Sequence, residues 1–545
     1  MTYGGTLALS QVADQYPAQK ERELEKRNAA ALKELASVKP DEPKPAEKPA
    51  VADPANQARV MVRRVVFSGQ SIFSDKELEA VVAKDLGREM TLGELRQMAA
   101  KVTKHYQEHG YFLAYVVIPE QNLNETPGTV KFLVLEGRLG NIAVRGNKRY
   151  SEKRVRGQMS DLKAGKPIKK DDLERSILQL NRTSGIKSCS SVLQAGKEVG
   201  FTDVNVDIAE ENRITGSLEF NNFGTDTTGQ YRVAPSLRLP NVTGRGDGLG
   251  VDLIGSPDIG EMYYGQANYM TPLGDSGTRL NTYAAAGNYE VGQEFAALGI
   301  KGKMQSWGVG VSHPLLLTPR TSVNFETWFE SKDFEQTMSG TTTSKDEVRK
   351  LRLGVNVYRQ DQWGRTFFSA GVHFGLGEFL GGMENNSVLA SRYLADNQFT
   401  KLAFEFTRLQ RLTDRIFLIG RVAGQYSFDS LVAGEQWSIG GADSVRGHQQ
   451  SAYLGDSGFT ASLEARYSLL PNNNRYQLAG FIDHGQTYIK TPAIGQEDSQ
   501  NISGAGVGIR ATPIDNLPIR LDVGVPLGEK TGDSVYLYFQ ASYNF

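Results

Sequence analysis

The C-terminal part of the chain, after Asn212, is built from short segments in which apolar and polar residues alternate. These segments have the length of β-strands and are separated by clusters of Gly, Asp, Asn, Pro and Ser. In the last segment, which ends at Phe545, the odd positions are apolar and most even positions are polar. The apolar face consists of Val535, Leu537, Phe539, Ala541, Tyr543 and Phe545. Such a strand suits a sheet with lipid on one side and water on the other.

Sixteen such segments can be counted, so we predict a mainly β protein with a sixteen-stranded antiparallel transmembrane β-barrel over residues 212–545. An even number of strands lets a lipid-embedded sheet close without an unpaired edge. The predicted strands begin near Arg213, Gly229, Asp247, Met262, Gly277, Gly302, Arg320, Asp346, Gly364, Gln398, Arg415, Gly458, Arg475, Asn501, Asn516 and Ser534. The alternative is a water-soluble β-sandwich, whose strands would be shorter.

An internal repeat precedes the barrel, between Val62 and Glu211. Each copy has the pattern of a strand, a glycine turn, two helices and two further strands, which predicts small α+β domains at residues 59–138 and 139–211. Ser74 in the first copy and Ser151 in the second stand at the start of the first predicted helix. A serine hydroxyl there accepts a hydrogen bond from a free helix amide, so both serines are predicted N-caps.

The N-terminal segment differs in character from the rest of the chain. Residues 14–38 are rich in Ala, Lys, Glu and Leu with a thin apolar stripe, which predicts a helix within residues 1–38, either on a surface or in a water-filled lumen. Residues 39–58 contain five prolines and are predicted to form an extended linker. Met1–Ala13 lacks a basic n-region and a full hydrophobic region, so no intact secretory signal is predicted.

Composition excludes several classes of function. The net charge of −1 gives no support for a nucleic-acid partner. Cys189 is the only cysteine, which rules out an intramolecular disulfide and a cysteine-rich metal site. No run approaches the roughly 18 apolar residues that a membrane helix needs. The mean hydropathy of −0.39 remains compatible with a transmembrane barrel, because its strands alternate.

A glycine-rich stretch stands out within the barrel region, at residues 437–459. It lies between two predicted strands and contains Gly440, Gly441, Ala442, Asp443, Ser444, Val445, Arg446 and Gly447. Because its glycines permit tight turns, the loop at about residues 427–457 can fold into the barrel. Arg446 would then need a carboxylate partner, since burying an unpaired cation is costly. The best candidate is Asp483, in the run Phe481, Ile482, Asp483, His484 and Gly485; the alternative is an exposed hairpin with a solvated arginine.

Signals for catalysis are weak throughout the sequence. Among the histidines, His105 and His109 stand four residues apart on a predicted helix, but the glutamate of a zinc-protease motif is missing, so we predict surface residues. No nucleophile elbow or phosphate-binding loop is present. Asp483 and His484 are adjacent on a strand and would point to opposite faces. We therefore predict neither an enzyme nor a metal centre.

The order of helix, proline-rich linker, two repeats and sixteen-stranded barrel resembles the TpsB family of two-partner secretion transporters, the ShlB/FhaC/HecB type of haemolysin or adhesin secretion and activation proteins. The repeats resemble POTRA domains, and the likeness covers essentially the whole chain. The run from Gly440 to Gly447 resembles the family's sixth-loop signature, and the run from Phe481 to Gly485 resembles its partner on the barrel wall. Family members usually have an aromatic residue after the Arg-Gly pair, where this chain has His448.

The resemblance implies a transporter in the outer membrane of a Gram-negative bacterium, with its POTRA domains in the periplasm and no cofactor. Its partner would be a large secreted TpsA-type exoprotein, an adhesin or a haemolysin, which docks unfolded on a POTRA sheet edge, threads through the barrel and folds outside. Residues 14–38 resemble a plug helix that occupies the lumen at rest, and Arg446 with Asp483 would lock the loop to the wall. Outer-membrane lipid and the barrel-assembly machinery are further implied partners, with Tyr543 and Phe545 as a C-terminal assembly signal.

Two other functions stay open on the sequence: an outer-membrane protein assembly insertase and a passive porin-like channel. Insertases of the same superfamily usually carry more POTRA repeats and lack the helix and proline extension, which favours secretion. A diffusion pore needs no polypeptide-binding module, so the repeats weigh against a porin.

Overall fold

The computed structural model of the protein describes residues 59–122, 127–257, 262–471, 473–528 and 530–545. The predicted N-terminal helix (1–38) and linker (39–58) lie outside the described residues. Two compact units are present, one containing the two repeats and one containing the barrel. Among the described helices, none is long and apolar enough to cross a membrane.

The first repeat combines a three-stranded sheet with two helices. Its elements are β1 (Arg59–Val62), β2 (Arg64–Ser68), α1 (Asp75–Val82), β3 (Arg88–Thr91), α2 (Leu92–Glu108), β4 (Tyr115–Val117) and β5 (Thr129–Leu135). β5 is the central strand, parallel to β2 and antiparallel to β4. The core between sheet and helices includes Val65, Leu78, Met98, Val102, Tyr106 and Phe132. The antiparallel pair of β1 and β3 was not predicted from the sequence pattern.

The second repeat has the same order of elements apart from β1 and β3, which have no counterpart among its described strands. They are β6 (Arg138–Arg145), α3 (Glu152–Gln158), α4 (Lys170–Asn181), β7 (Ile186–Ala195) and β8 (Phe201–Glu210). β8 is central, parallel to β6 and antiparallel to β7. Its core includes Val155, Met159, Leu180, Val204 and Val206. The predicted repetition of a small α+β fold is confirmed.

A glutamate at the end of the last strand of each repeat binds the segment before the first helix. Glu136 accepts hydrogen bonds from Ser71 N–H (2.6 Å) and Ile72 N–H (3.0 Å). Glu210 accepts from the backbone N–H groups of residues 148, 149 and 150 at 2.7–2.9 Å. Burial alone would raise the pKa of both carboxyls, but these hydrogen bonds lower it, for Glu210 to about 2. Both glutamates are therefore ionised at neutral pH, and each fixes the end of its sheet to the helical layer.

The two predicted serine caps have different outcomes. Ser74 Oγ accepts from Glu77 N–H (3.4 Å) while the Glu77 carboxylate accepts from Ser74 N–H (2.8 Å), which completes a capping box. Ser151 occupies the N-cap position of α3, but its hydroxyl makes no cap hydrogen bond with any described residue, so that prediction was wrong. The third helical residue is Glu77 in the first copy and Arg154 in the second, so α3 has no carboxylate to complete the box.

The barrel closes as predicted, with sixteen antiparallel strands. Each strand begins within five residues of its predicted start, and β26 pairs with β9 to close the sheet. The strands are β9 (Thr215–Asn221), β10 (Arg232–Pro240), β11 (Gly248–Gly255), β12 (Met262–Pro272), β13 (Arg279–Glu290), β14 (Ile300–Leu317), β15 (Thr321–Met338), β16 (Thr341–Gln360), β17 (Gly364–Gly375), β18 (Thr400–Arg411), β19 (Ile416–Ser427), β22 (Ser457–Leu470), β23 (Asn473–Tyr488), β24 (Ser499–Ala511), β25 (Ile519–Leu527) and β26 (Tyr536–Asn544). A further hairpin, β20 (Trp437–Ile439) with β21 (Tyr453–Gly455), lies in the loop between β19 and β22.

The outer surface of the barrel is apolar and its inner surface polar. On β18, Leu402, Phe404 and Phe406 are exposed, whereas Lys401 and Thr407 are buried. The period of two that defines a strand puts these two sets on opposite faces. The wall can therefore contact lipid outside while lining its lumen with polar and charged side chains.

Candidate functional site

The inner face of the barrel carries three buried carboxylates within a run of four consecutive strands, β22 to β25. Glu464 of β22, Asp483 of β23 and Asp522 of β25 are each 6% exposed or less. Residues that precede or follow them and point the other way are exposed: Leu463, Ile482 and Val523. The strand alternation therefore aims all three carboxylates into the lumen.

The loop between β19 and β22 folds inward to meet this wall, as predicted. Ile439 and Val445 are fully buried and pack with Ile502 of β24. Gly485 of β23 makes this approach possible, because a Cβ there would lie 2.9 Å from Val445 Cγ2 and 3.0 Å from Ile439 Cγ2. The predicted alternative, an exposed hairpin with a solvated arginine, does not agree with this burial.

A tight turn at the start of the predicted motif gives the loop its direction. Gly440 and Gly441 have φ angles of 110° and 100°, values that residues with a Cβ rarely adopt. Gly441 N–H donates to the Val445 carbonyl (3.1 Å), and Gly440 N–H donates to Ser444 Oγ (3.3 Å). These bonds close the turn on itself, so that Arg446 leaves it pointing at the wall.

Arg446 and Asp483 form the ion pair that the sequence suggested. Arg446 Nε lies 2.7 Å from Asp483 Oδ2 and Nη2 lies 2.9 Å from Oδ1, a bidentate arrangement. The Arg446 backbone N–H also donates to Asp483 (3.2 Å). The guanidinium carbon stands 3.4 Å from the centre of the Phe481 ring, which adds a cation–π contact. Ser462 Oγ donates to the same carboxylate (2.6 Å).

A wider charge network surrounds this pair, and the sequence reasoning missed it. Arg446 Nη1 lies 2.7 Å from Glu464 and 3.5 Å from Asp522. Arg510 bridges the same two acids at 3.1 and 2.6 Å, and Arg520 bonds Asp522 (2.8 Å) and the Ala442 carbonyl of the loop (3.0 Å). A usable signal was present, since Glu464 and Asp522 are each the single acid of their strand.

The residues after Arg446 are held by the last strands. Gly447 N–H donates to Tyr538 Oη (3.0 Å), and that hydroxyl donates to the His448 carbonyl (3.1 Å). His448 is fully buried, with Nε2 2.7 Å from the Ser503 carbonyl and Nδ1 3.0 Å from Thr531 Oγ1. A histidine in place of the family's aromatic residue thus fills the position with a ring that also makes two polar contacts.

The C-terminal aromatic residues lie at the barrel seam and not at the loop. Tyr543 stands opposite Leu218 of β9. Phe545 exchanges backbone hydrogen bonds with Gly216, both at 2.9 Å. Both side chains are about half exposed on the outer face. They are thus separate from the Arg446 cluster and help to close the sheet.

Metal chemistry has no support in the described part of the chain, where no group of three or more His, Cys, Asp or Glu side chains could hold an ion. His105 and His109 are in contact with each other and with Phe73, at ring-centre distances of 4.4–5.1 Å, and the second is exposed. His484 Nδ1 bonds Ser503 Oγ (2.8 Å), while Asp483 bonds Arg446, in agreement with opposite strand faces.

A closed barrel with a charged lumen, an inward-folded loop and two small α+β repeats defines an outer-membrane transporter. The family described as "Haemolysin secretion/activation protein ShlB/FhaC/HecB" matches residues 200–511, and the "POTRA domain, ShlB-type" matches residues 60–137. The chain therefore belongs to the ShlB/FhaC/HecB family. It is an outer-membrane protein whose POTRA domains lie in the periplasm.

Named relatives are transporters. The chain is 26% identical to the heme/hemopexin transporter protein HuxB of Haemophilus influenzae (strain 86-028NP), over 87% of this chain and 84% of that protein. It is 24% identical to the outer membrane transporter CdiB of Dickeya dadantii, covering 82% and 79% of the two chains. It is 23% identical to the hemolysin transporter protein ShlB of Serratia marcescens, covering 76% and 73%.

Solved structures share the fold. CdiB from Escherichia coli superposes with a TM-score of 0.76 at 20% identity, covering 99% of both chains. CdiB from Acinetobacter baumannii gives a TM-score of 0.71 at 17% identity, again over 99% of both. At these identities the likeness supports the architecture of repeats and barrel.

Proposed function

We propose that this protein recognises an unfolded exoprotein through its POTRA domains and translocates it through the barrel to the cell surface or medium. The observation that carries the proposal is the loop folded into the lumen and bound to the wall through Arg446. A loop held by ionic contacts can be displaced without unfolding the barrel, whereas a loop integrated into the sheet cannot. Family membership and the transporter names of relatives support the same conclusion.

The docking surface for the exoprotein is the free edge of β7. β7 is ten residues long and, among the described strands, pairs with β8 alone. Near its start, the Asn181 side chain bonds the Cys189 N–H (2.6 Å) and carbonyl (2.8 Å). Residues 191 and 193 have the same orientation as Cys189, so their backbone groups face the same open side. An extended, unfolded segment can add there as a further strand.

The β4 edge of the first repeat is less accessible. β4 is three residues long, and its Val116 N–H donates to Thr103 Oγ1 of α2 (3.1 Å). Beyond β4, the Gln121 side chain bonds the Lys131 N–H (2.7 Å) and carbonyl (3.0 Å) of β5. Side chains thus occupy most of this short edge, whereas Asn181 occupies the longer β7 edge near its start, at Cys189. This difference favours the second repeat as the docking site.

Two further partners follow from the surface of the barrel. Its exposed apolar belt suits outer-membrane lipid. We also propose that the barrel-assembly machinery inserts the protein and reads the C-terminal strand, including Tyr543 and Phe545 as its assembly signal. Both are exposed, so an assembly factor can reach them before lipid surrounds the barrel.

The lock is tested by Arg446→Ala and Asp483→Ala. We expect each variant to lower the amount of exoprotein in the medium by about tenfold or more. Arg446→Ala leaves the buried Asp483 carboxylate without its arginine, and Asp483→Ala removes the bidentate contact and leaves Arg446 with Glu464 and Asp522. The exoprotein is the very large one expected in the neighbouring reading frame, expressed together with the full-length transporter.

Matched controls are Arg320→Ala and Asp498→Asn, since both side chains are exposed and take part in none of the lock's contacts. Barrel insertion is followed by heat-modifiable migration on gels and should be unchanged in all four variants. Normal secretion from both Arg446→Ala and Asp483→Ala would remove the lock from the mechanism.

A further inference from the structure

The inward-folded loop makes a second ionic contact with the barrel wall, at Glu435. This residue ends the short helical turn Ala433–Glu435, eleven residues before Arg446. Its side chain is 1% exposed. Three lysines of the described wall surround it: Lys332 of β15, Lys350 of β16 and Lys401 of β18.

The contacts involve every acceptor that Glu435 offers. Lys332 Nζ lies 2.9 Å from Oε1, and Lys350 Nζ lies 2.8 Å from both carboxylate oxygens. Lys401 Nζ lies 2.9 Å from Oε2 and also donates to the Glu435 carbonyl (2.8 Å). Gln425 Nε2 of β19 donates to the same carbonyl (3.0 Å). Four strands therefore bind one loop residue by its side chain and its backbone.

The charges of this cluster favour an occupied site. The ion pairs of the three lysines involve Glu435 and one wall residue, Glu330, which lies 3.5 Å from Lys350. Glu330 also accepts from Tyr283 Oη (3.2 Å). With Glu435 in place, three buried positive charges face two negative ones; without it they face one. Because buried, uncompensated charge is strongly unfavourable, the wall attracts a carboxylate.

Packing around Glu435 also favours the inward position. Leu431 and Val432, just before the turn, are fully buried with Val348 and Met383. Ala433 N–H donates to Ser391 Oγ (2.9 Å). Gly434 lies flat on the Phe334 ring, since a Cβ there would stand 2.6 Å from the ring carbon Cε2. The turn is thus shaped to bring the carboxylate to the lysines.

The two ionic contacts use different parts of the described barrel. Glu435 is bound by β15, β16, β18 and β19, and Arg446 by β22, β23 and β25. In the order of the sheet, β15 and β25 are eight strands apart of sixteen, so they lie on opposite sides of the barrel. The loop is thus attached to two adjoining arcs of the wall, which meet where β19 pairs with β22.

We propose that Lys332, Lys350 and Lys401 form a carboxylate-binding site that anchors the loop through Glu435 independently of Arg446. The proposal rests on the function proposed above, in which the loop can be displaced from the lumen. Opening then requires two anchors to break, and removal of the Arg446 anchor alone leaves the first half of the loop bound. Glu435 is therefore a positioning residue, because it holds the loop in place inside the barrel.

Cysteine labelling of the purified full-length protein in detergent tests the anchor. Cys189→Ser removes the native thiol, and Ala433→Cys, at a position 1% exposed, reports on local opening. We expect Glu435→Gln to raise the maleimide labelling rate about tenfold or more. Losing one charge-assisted contact shifts the equilibrium between the bound and the released loop by about that factor. Glu384→Gln is the matched control, because Glu384 is exposed and outside the cluster.

A double-mutant comparison shows whether Glu435 acts through the lysines. Lys350→Met by itself should raise labelling at Ala433→Cys, and it should add little to Glu435→Gln, because both remove the same contact. Fully additive effects, or wild-type protection in Glu435→Gln, would overturn the site. Heat-modifiable migration verifies that each barrel is closed.

A second cysteine position tests whether the Glu435 anchor holds independently of the Arg446 anchor. Ala442→Cys, at a position 3% exposed, lies close to Arg446. Arg446→Ala should release Ala442→Cys and leave Ala433→Cys protected, while the double variant with Glu435→Gln releases both. Release of both reporters by Arg446→Ala alone would refute a second anchor. Labelling needs no exoprotein, so failure here is distinct from failure of the proposed export function.

Discussion

The two POTRA repeats share a topology, but their helices begin in different ways. In the first repeat both helices start with a capping box, Ser74 with Glu77 and Thr91 with Glu94. In the second, neither α3 nor α4 has a side-chain cap among the described residues. The first amide of α4 instead donates to the Gly110 carbonyl of the first repeat (2.9 Å). The second repeat thus obtains a hydrogen bond at the start of α4 from the first repeat, whereas the first repeat caps both of its helices with its own side chains.

Apolar packing between the repeats also makes the second repeat depend on the first. Phe112 and Leu113, which follow α2, pack against the core of the second repeat. Ile168 N–H also donates to the Gly137 carbonyl at the junction (3.1 Å). The second repeat combines this dependence with β7, which pairs with β8 alone among the described strands. The comparison teaches that one of two tandem copies of a fold can supply contacts on which the other depends.

The largest effect is expected from closing the β7 edge. Ser191→Pro removes a backbone donor on the open side and leaves the pairing with β8 intact, since proline is tolerated at a strand edge. We expect secretion of the co-expressed exoprotein to fall about tenfold or more, as one lost contact in a short docking strand can cause. Ser191→Ala, which keeps the N–H, should secrete normally. Unimpaired secretion by Ser191→Pro would place docking elsewhere.

A smaller effect is expected from weakening the apolar contact between the two repeats. Phe112→Ala should destabilise the second repeat by about 2 kcal/mol, less than for a fully buried phenylalanine, and leave the first nearly unchanged. Amide hydrogen exchange of α4 and α2 in the full-length protein measures this. Phe73→Ala is the reverse control, because Phe73 packs against the first core. Equal loss of protection in both repeats after Phe112→Ala would contradict the one-way dependence.

The smallest effect concerns the caps. Ser74→Ala should lower the stability of α1 by about 1 kcal/mol, the usual value of an N-cap. Ser151→Ala should change the stability of α3 by less than about 0.5 kcal/mol, because no cap bond is lost. Hydrogen exchange of the two helices in one sample compares them directly. An equal cost at both positions would mean that Ser151 caps its helix after all.

Much of the architecture could be predicted from the sequence because it depends on local periodicity. Alternation along β26 identified the lipid face, and the count of alternating segments gave the closed barrel. The pairing of Arg446 with Asp483 was also accessible, since a buried cation requires a carboxylate and Asp483 is an isolated acid in its strand. The domain limits and the plug helix stay predictions.

The sequence by itself determined the kind of structure: two repeats, sixteen strands and a loop able to turn inward, because these follow from spacing, turn residues and the demands of a buried charge. Only the tertiary structure decided the contacts between distant segments. The acids Glu464 and Asp522 join Arg446, three lysines surround Glu435, and β7 pairs with β8 alone among the described strands. Such contacts depend on strand register and barrel closure, which bring residues together across the lumen by geometry that local patterns do not encode.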